Sequence, residues 1–120
     1  LGLLIWILGF IIEVVSDSQK SKFNKKNKGK FINKGLWKYI RHPNYLGEII
    51  IWLGIFVISI SYINSIFASL SVLSPIFVFV LLRFLTGVPQ LEVRGDEKWG
   101  KQKEYINYKK ETGIIFPKFK

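Results

Sequence analysis

The sequence predicts an all-α membrane protein: a transmembrane helical bundle, or part of one, with a helical hairpin and a cytoplasmic amphipathic C-terminal tail. Three observations predict it. Of 120 residues 49% are hydrophobic and the mean hydropathy is +0.25, too apolar for an ordinary soluble globule of this length. Residues 49–82 form a run of 34 without a charged side chain. The 18 Lys and Arg are segregated to either side of that run rather than mixed through the chain, as the positive-inside rule expects of cytoplasmic loops lying against anionic headgroups.

The elements follow in order. Residues 1–15 are apolar apart from Glu13 and fall short of the ~20 residues that a full span needs, so they read as a partial transmembrane helix. The chain starts within an apolar run and contains no Met, which leads us to expect the downstream part of a longer chain; no basic region precedes the run and no small-residue cleavage site follows, so a signal peptide is not expected. Residues 16–42 are polar and lysine-dense and read as a solvated basic loop facing lipid headgroups. The uncharged run is too long for one helix across a ~30 Å hydrocarbon core and right for two. The polar stretch Ser61, Tyr62, Asn64 and Ser65 divides it, giving spans at 43–61 and 66–88 that form a hairpin with both ends on one side. Pro75 is expected to kink the second span. Residues 89–120 form the tail, with short helices over 92–99 and 103–112 stopped by Gly100 and Gly113. Its interleaved aromatics and lysines suit a membrane-surface lid or an interfacial anchor.

A net charge of +10 raises nucleic acid as a partner, but no readable binding fold accompanies the charge, and the lipid bilayer and a small hydrophobic substrate are the expected partners instead. Without Cys, disulfides, thiolate nucleophiles and zinc–thiolate sites are excluded. A single His with no acidic cluster at ligand spacing leaves no metal site expected. Oligomeric state is not legible.

The chemistry concentrates in residues 35–48, GLWKYIRHPNYLGE, where the basic stretch meets the apolar run. Pro43 suits a first helical turn, so Arg41 or His42 caps a helix whose free amides and positive dipole end favour an anion. Asn44, Glu48 and Trp52 then share one helix face, with Gly47 leaving room for a neighbour or ligand. Glu48 is either an intramembrane functional carboxylate or a headgroup-level partner of Arg41 or a loop lysine. His42 serves catalysis or hydrogen bonding, and Arg83 at the end of the second span contacts a ligand or snorkels to the interface.

These residues carry a resemblance. Gly35-Leu36-Trp37, Arg41-His42-Pro43-Asn44-Tyr45-x-Gly47-Glu48, Trp52, Gly87-Val88-Pro89-x-Leu91-Glu92 and Tyr105-x-x-Tyr108 with Pro117 resemble the DUF1295 family. That family is similar to the C-terminal region of steroid 5-alpha-reductases and more distantly to sterol reductases. The Arg-His-Pro-x-Tyr core is also similar to isoprenylcysteine carboxyl methyltransferases, which use S-adenosylmethionine; Asn44 and Glu48 favour the reductase pattern. The resemblance implies a membrane-embedded, NADPH-dependent reductase of a C=C bond in a lipid or steroid-like enone, with an S-adenosylmethionine-dependent lipid or isoprenylcysteine methyltransferase, or a non-catalytic membrane module, as alternatives. By the same resemblance Asp17, Asn44 and Arg83 match NADPH-contacting positions, Arg94 and Asp96 match the basic–acidic pair of the sterol-reductase tail, and Tyr105 lines or closes the cavity. With Arg41, His42, Tyr45 and Glu48 these are the candidate cofactor-binding residues. Two positions depart from the steroid reductases: Glu13 replaces an Asn and Ile51 replaces a second Glu. The family's catalytic acid lies mostly on upstream helices, and no residue here is assigned that role. NADPH's additional phosphate would be matched by the Lys and Arg excess around residues 20–41 and in the tail.

Overall fold

The structure, a computed structural model, describes residues 1–62 and 66–117; the expected hairpin tip around Ser65 lies outside the described residues. Among them there is no strand, and six α-helices are α1 (Gly2–Lys26), α2 (Pro43–Tyr62), α3 (Ile66–Leu70), α4 (Leu73–Val80), α5 (Gly87–Trp99) and α6 (Lys103–Glu111). Three stretches are long and apolar enough to cross a membrane: Gly2–Lys26, Pro43–Ile60, and Leu73–Trp99, in which a π-helical turn at Leu81–Leu85 joins α4 to α5.

The expected boundary at Val15 is corrected: α1 continues through the lysine-dense segment to Lys26, so the connecting loop is residues 27–42 rather than 16–42. Nothing between Ser16 and Lys26 breaks a helix, because Gln and Lys are good helix formers and Ser16 bonds back to the Glu13 carbonyl at 3.0 Å. Lys25 and Lys26 in the last turn complement the helix dipole. Only at Asn27, whose amide and side chain both bond the Phe23 carbonyl, does the chain leave the helix, and Gly29 with φ of 80° turns it back.

The two long helices pack antiparallel along a seam of small residues. Gly2, Gly9 and Ser16 are the buried residues of α1, spaced by seven, the repeat that keeps one face toward a partner helix. Gly47 and Gly54 repeat the spacing on α2. Gly2 lies against Gly54, and Gly9 against Gly47, at backbone-to-backbone contact. With lipid tails as apolar as the side chains, such close approach is what holds membrane helices together. Leu3, Leu4, Leu8 and Ile11 point outward and are exposed, as lipid-facing residues are.

Pro75 acts one turn upstream of its own position. A proline clashes with the carbonyl four residues earlier, and the helix is interrupted by a turn at Ser71 and Val72 before α4 begins at Leu73. The expected span at 66–88 is thereby divided, at the expected kink, into α3 and α4.

Candidate functional site

At the polar end of the α1–α2 pair the loop, the end of the third span and the tail converge. Gly35, with φ of 64°, opens a 3₁₀ turn at Gly35–Lys38, and the Leu36 amide donates to Gln19 Oε1 at 3.1 Å. This turn drives Trp37 inward, where it is 3% exposed and its Nε1–H donates to the Ser16 carbonyl at 3.0 Å. The Trp37 carbonyl in turn accepts from the Tyr108 hydroxyl at 2.6 Å. Just beyond α6 the chain runs parallel to residues 39–42: the amides of Arg41 and His42 donate to the Gly113 and Ile114 carbonyls at 2.8 and 3.0 Å, and Gly113 N–H returns a bond to Tyr39 O at 3.1 Å. The tail is therefore clamped by backbone bonds to the residues that start α2.

Glu92 on α5 gathers the charges. Its Oε1 lies 3.1 Å from Arg41 Nη1 and 3.4 Å from His42 Nε2, and its Oε2 lies 3.5 Å from Lys109 Nζ. Lys109 also reaches Asp96 at 2.8 Å. Burial alone would lower the Lys109 affinity for its proton, but the bond to Asp96 and the Glu92 charge outweigh it and hold the ammonium above its ordinary range. Burial, with the Glu92 charge adding to it, likewise raises the Tyr105 hydroxyl.

A cavity of about 680 Å³ opens beside this cluster. Arg41, His42, Arg94 and Tyr105 of the sequence candidates line it. Asp96 lines an adjoining recess shared with Arg41 and Tyr105, and Asp17 lies in a groove beside Lys20, Asn24 and Lys28, which also border the cavity. Tyr45 stacks on His42 with ring centroids 5.5 Å apart and packs against Gly87, where a Cβ would sit 2.8 Å from its ring. Further along α2, Glu48 accepts from Trp52 Nε1 at 3.1 Å. Arg83 is not brought to this cluster; its guanidinium lies over the Phe84 ring at 4.8 Å. Among the described residues Arg41 Nε and Asn44 Oδ1 are buried without a hydrogen-bond partner; Arg41 lines the cavity, and Asn44 is not among its lining residues.

Two contributors, Glu92 and Phe31, are not among the site candidates of the sequence. Glu92 belongs to the motif that carries the resemblance, but it sits 50 residues from His42, so only the fold reveals their pairing. Phe31 forms an aromatic cluster with Trp99, Tyr105 and Tyr108 at centroid distances of 5.9, 5.0 and 5.4 Å; three of these four rings stand in the tail, where the mixture of aromatics and lysines was the available signal.

The Tyr108 hydroxyl gives a pH prediction. Burial, the largest influence, raises its affinity for its proton well above the ordinary value near 10. The unfolded chain releases this proton first as pH rises, so the stabilisation is complete below about pH 10 and is lost progressively above it. Tyr108→Phe is expected to cost about 1 kcal/mol at neutral pH through the lost bond and to flatten part of the alkaline loss. Thermal unfolding in detergent from about pH 8 to 11 checks this, and an unchanged alkaline slope would refute it.

The family described as DUF1295, protein of unknown function, matches residues 1–112. Steroid 5-alpha-reductase DET2 of Arabidopsis thaliana is 38% identical over 56 residues, which is 45% of this chain and 21% of that protein's length. The chain thus aligns with about a fifth of that relative. No solved structure matches. Matched over nearly all of its length, and built as a helical membrane protein with its polar cluster at the start of α2, the chain belongs to the DUF1295 family.

Proposed function

We propose that the chain is the cofactor-holding part of a membrane-embedded reductase that uses NADPH to saturate a C=C bond conjugated to a carbonyl in a lipid or steroid-like molecule. The observation that carries the proposal is the cavity at the polar helix ends, which joins Arg41, His42, Arg94 and Tyr105 and includes in Arg41 a buried, unpartnered donor. Partial similarity to a steroid 5-alpha-reductase supports the reaction class. A volume of about 680 Å³ falls in the ~300–1,000 Å³ range of small-molecule and cofactor sites.

When bound, NADPH supplies the hydride. The chain's own residues bind and orient it. Arg41 faces its anionic groups and Arg94 adds a second cation on the cavity lining, while the amides of Arg41 and His42 are taken by the tail strap; Asn44, in the first turn of α2 with a buried, unpartnered Oδ1, is assigned an accepting role. Glu48, which accepts from Trp52, stands one turn further along α2 and is not among the residues lining the cavity. The basic loop and tail are proposed to face the cytoplasm, following the distribution of Lys and Arg, so that a soluble cofactor and a membrane-dissolved substrate reach the same helix ends.

Thermal unfolding of the full-length protein in detergent tests this. NADPH at about 100 times its Kd is expected to stabilise by about 2.7 kcal/mol, with no shift from S-adenosylmethionine. Stabilisation by S-adenosylmethionine alone would replace the reductase with a methyltransferase. Asn44→Ala is expected to weaken NADPH binding about tenfold, equivalent to about 1.4 kcal/mol, whereas exposed Lys22→Gln changes it less than about twofold. Equal losses would attribute the affinity to the basic surface and refute a shaped site.

A further inference from the structure

The positive charges around the cavity divide into two sets. Arg41, His42 and Lys109 are gathered on Glu92. Lys20, near the end of α1, and Lys98, near the end of α5, also line the cavity, yet among the described residues neither lies within ion-pairing distance of a carboxylate. Asp17, one turn before Lys20, stands in the adjoining groove. Each ammonium instead lies over an indole, Lys20 Nζ at 4.9 Å from the Trp37 ring and Lys98 Nζ at 5.6 Å from the Trp99 ring. The fold therefore holds two like charges at one cavity rim beside the Phe31, Trp99 and Tyr105 rings, where a doubly charged anion attached to a flat base would meet both ammoniums and cover the rings.

We propose that this rim is a phosphate-monoester subsite in which Lys20 and Lys98 take the 2′-phosphate of the cofactor's adenosine and the Phe31–Trp99 wall takes the adenine, so that these residues select NADPH over NADH. The proposal rests on the reductase reading above and adds the selecting residues to it. A phosphate monoester carries a charge of about −1.5 to −2 at neutral pH, which two lysines match. The same chemistry is offered by a phosphatidate headgroup; the aromatic wall favours the nucleoside.

The test titrates adenosine 2′,5′-bisphosphate and AMP into the full-length protein in phosphatidylcholine nanodiscs, followed by calorimetry and tryptophan fluorescence. The bisphosphate is expected to bind about tenfold more tightly. Lys20→Gln and Lys98→Gln should each shrink that ratio with AMP affinity nearly unchanged, Lys98→Arg should retain it, and Trp99→Leu should weaken both ligands alike. A ratio that survives in both Gln variants overturns the proposal. Phosphatidate that displaces the bisphosphate more than phosphatidylglycerol of equal charge does would make the headgroup the occupant and also overturn it. Equal thermal stabilisation by NADPH and NADH would remove this subsite while leaving the reductase reading standing; stabilisation by neither would remove both.

Discussion

Glu92→Leu is expected to destabilise the protein by about 3 kcal/mol and to weaken nucleotide binding with it. The carboxylate is 18% exposed and receives Arg41, itself 12% exposed, at 3.1 Å, with His42 and Lys109 on its flanks. Removing one partner of such a cluster leaves a buried guanidinium uncompensated, which costs about 3–5 kcal/mol in buried pairs. The residual exposure admits water and places the estimate at the lower end. Arg41 already has an unpartnered Nε, so no second acceptor stands ready to replace Glu92. Asp96→Asn supplies the contrast: its side chain is 53% exposed, and the loss of its bond to Lys109 should cost under about 1 kcal/mol. Chemical unfolding in detergent distinguishes the two, and equal, small losses would mean that Glu92 is not the hub of the site. Because Arg41 both borders the cavity and depends on Glu92 for its position, the Leu variant should also lose affinity for NADPH, measured in folded protein below its unfolding transition.

The membrane character was legible because hydropathy acts residue by residue: 34 uncharged positions need no knowledge of their neighbours. The end of α1 was not. Its last turns have the composition of a solvated loop, and composition records who prefers water rather than who breaks a helix; Gln19, Lys20 and Lys22 satisfy both descriptions. Pro75 marks a kink in sequence, but where the helix breaks depends on the carbonyl four residues earlier, that of Ser71, and the interruption falls at Ser71 and Val72. Within the site, Arg41, His42, Asn44 and Tyr45 are neighbours in sequence and could be found together. The carboxylate that holds two of them comes from α5, and the strap that clamps their amides comes from Gly113 and Ile114. Such pairings form only after the helices pack, and no local pattern announces them. The seven-residue spacing of Gly2, Gly9 and Ser16 was present all along, but it gains meaning only beside the matching Gly47 and Gly54 on a second helix.

Gly9→Leu is the sharpest test of that seam, with an expected loss of about 3 kcal/mol, at the upper end of the ~1–3 kcal/mol range for overpacked sites. A Cβ at Gly9 would lie 2.6 Å from the Ile51 amide nitrogen and 2.8 Å from the Gly47 carbonyl oxygen. Both are backbone atoms of α2, so no rotamer change relieves the clash and the helices must separate. In water, hydrophobic burial would still press separated helices together; in a bilayer, lipid replaces the lost contacts at little cost, so the pair has no such reserve. Leu8→Ala, at the neighbouring 53% exposed position, should change stability by under about 0.5 kcal/mol. The consequence extends to the site, because Ser16, seven residues along α1, holds Trp37 through its carbonyl and Trp37 holds Tyr108. Widening the seam tilts the end of α1 that carries Ser16 and Lys20, so Gly9→Leu should weaken nucleotide binding from about 10 Å away along the helix, measured in folded protein below its unfolding transition. Retention of stability within about 1 kcal/mol would show that α1 and α2 do not meet backbone to backbone, and intact nucleotide affinity in a destabilised variant would show that the cavity is held by the loop and tail without α1.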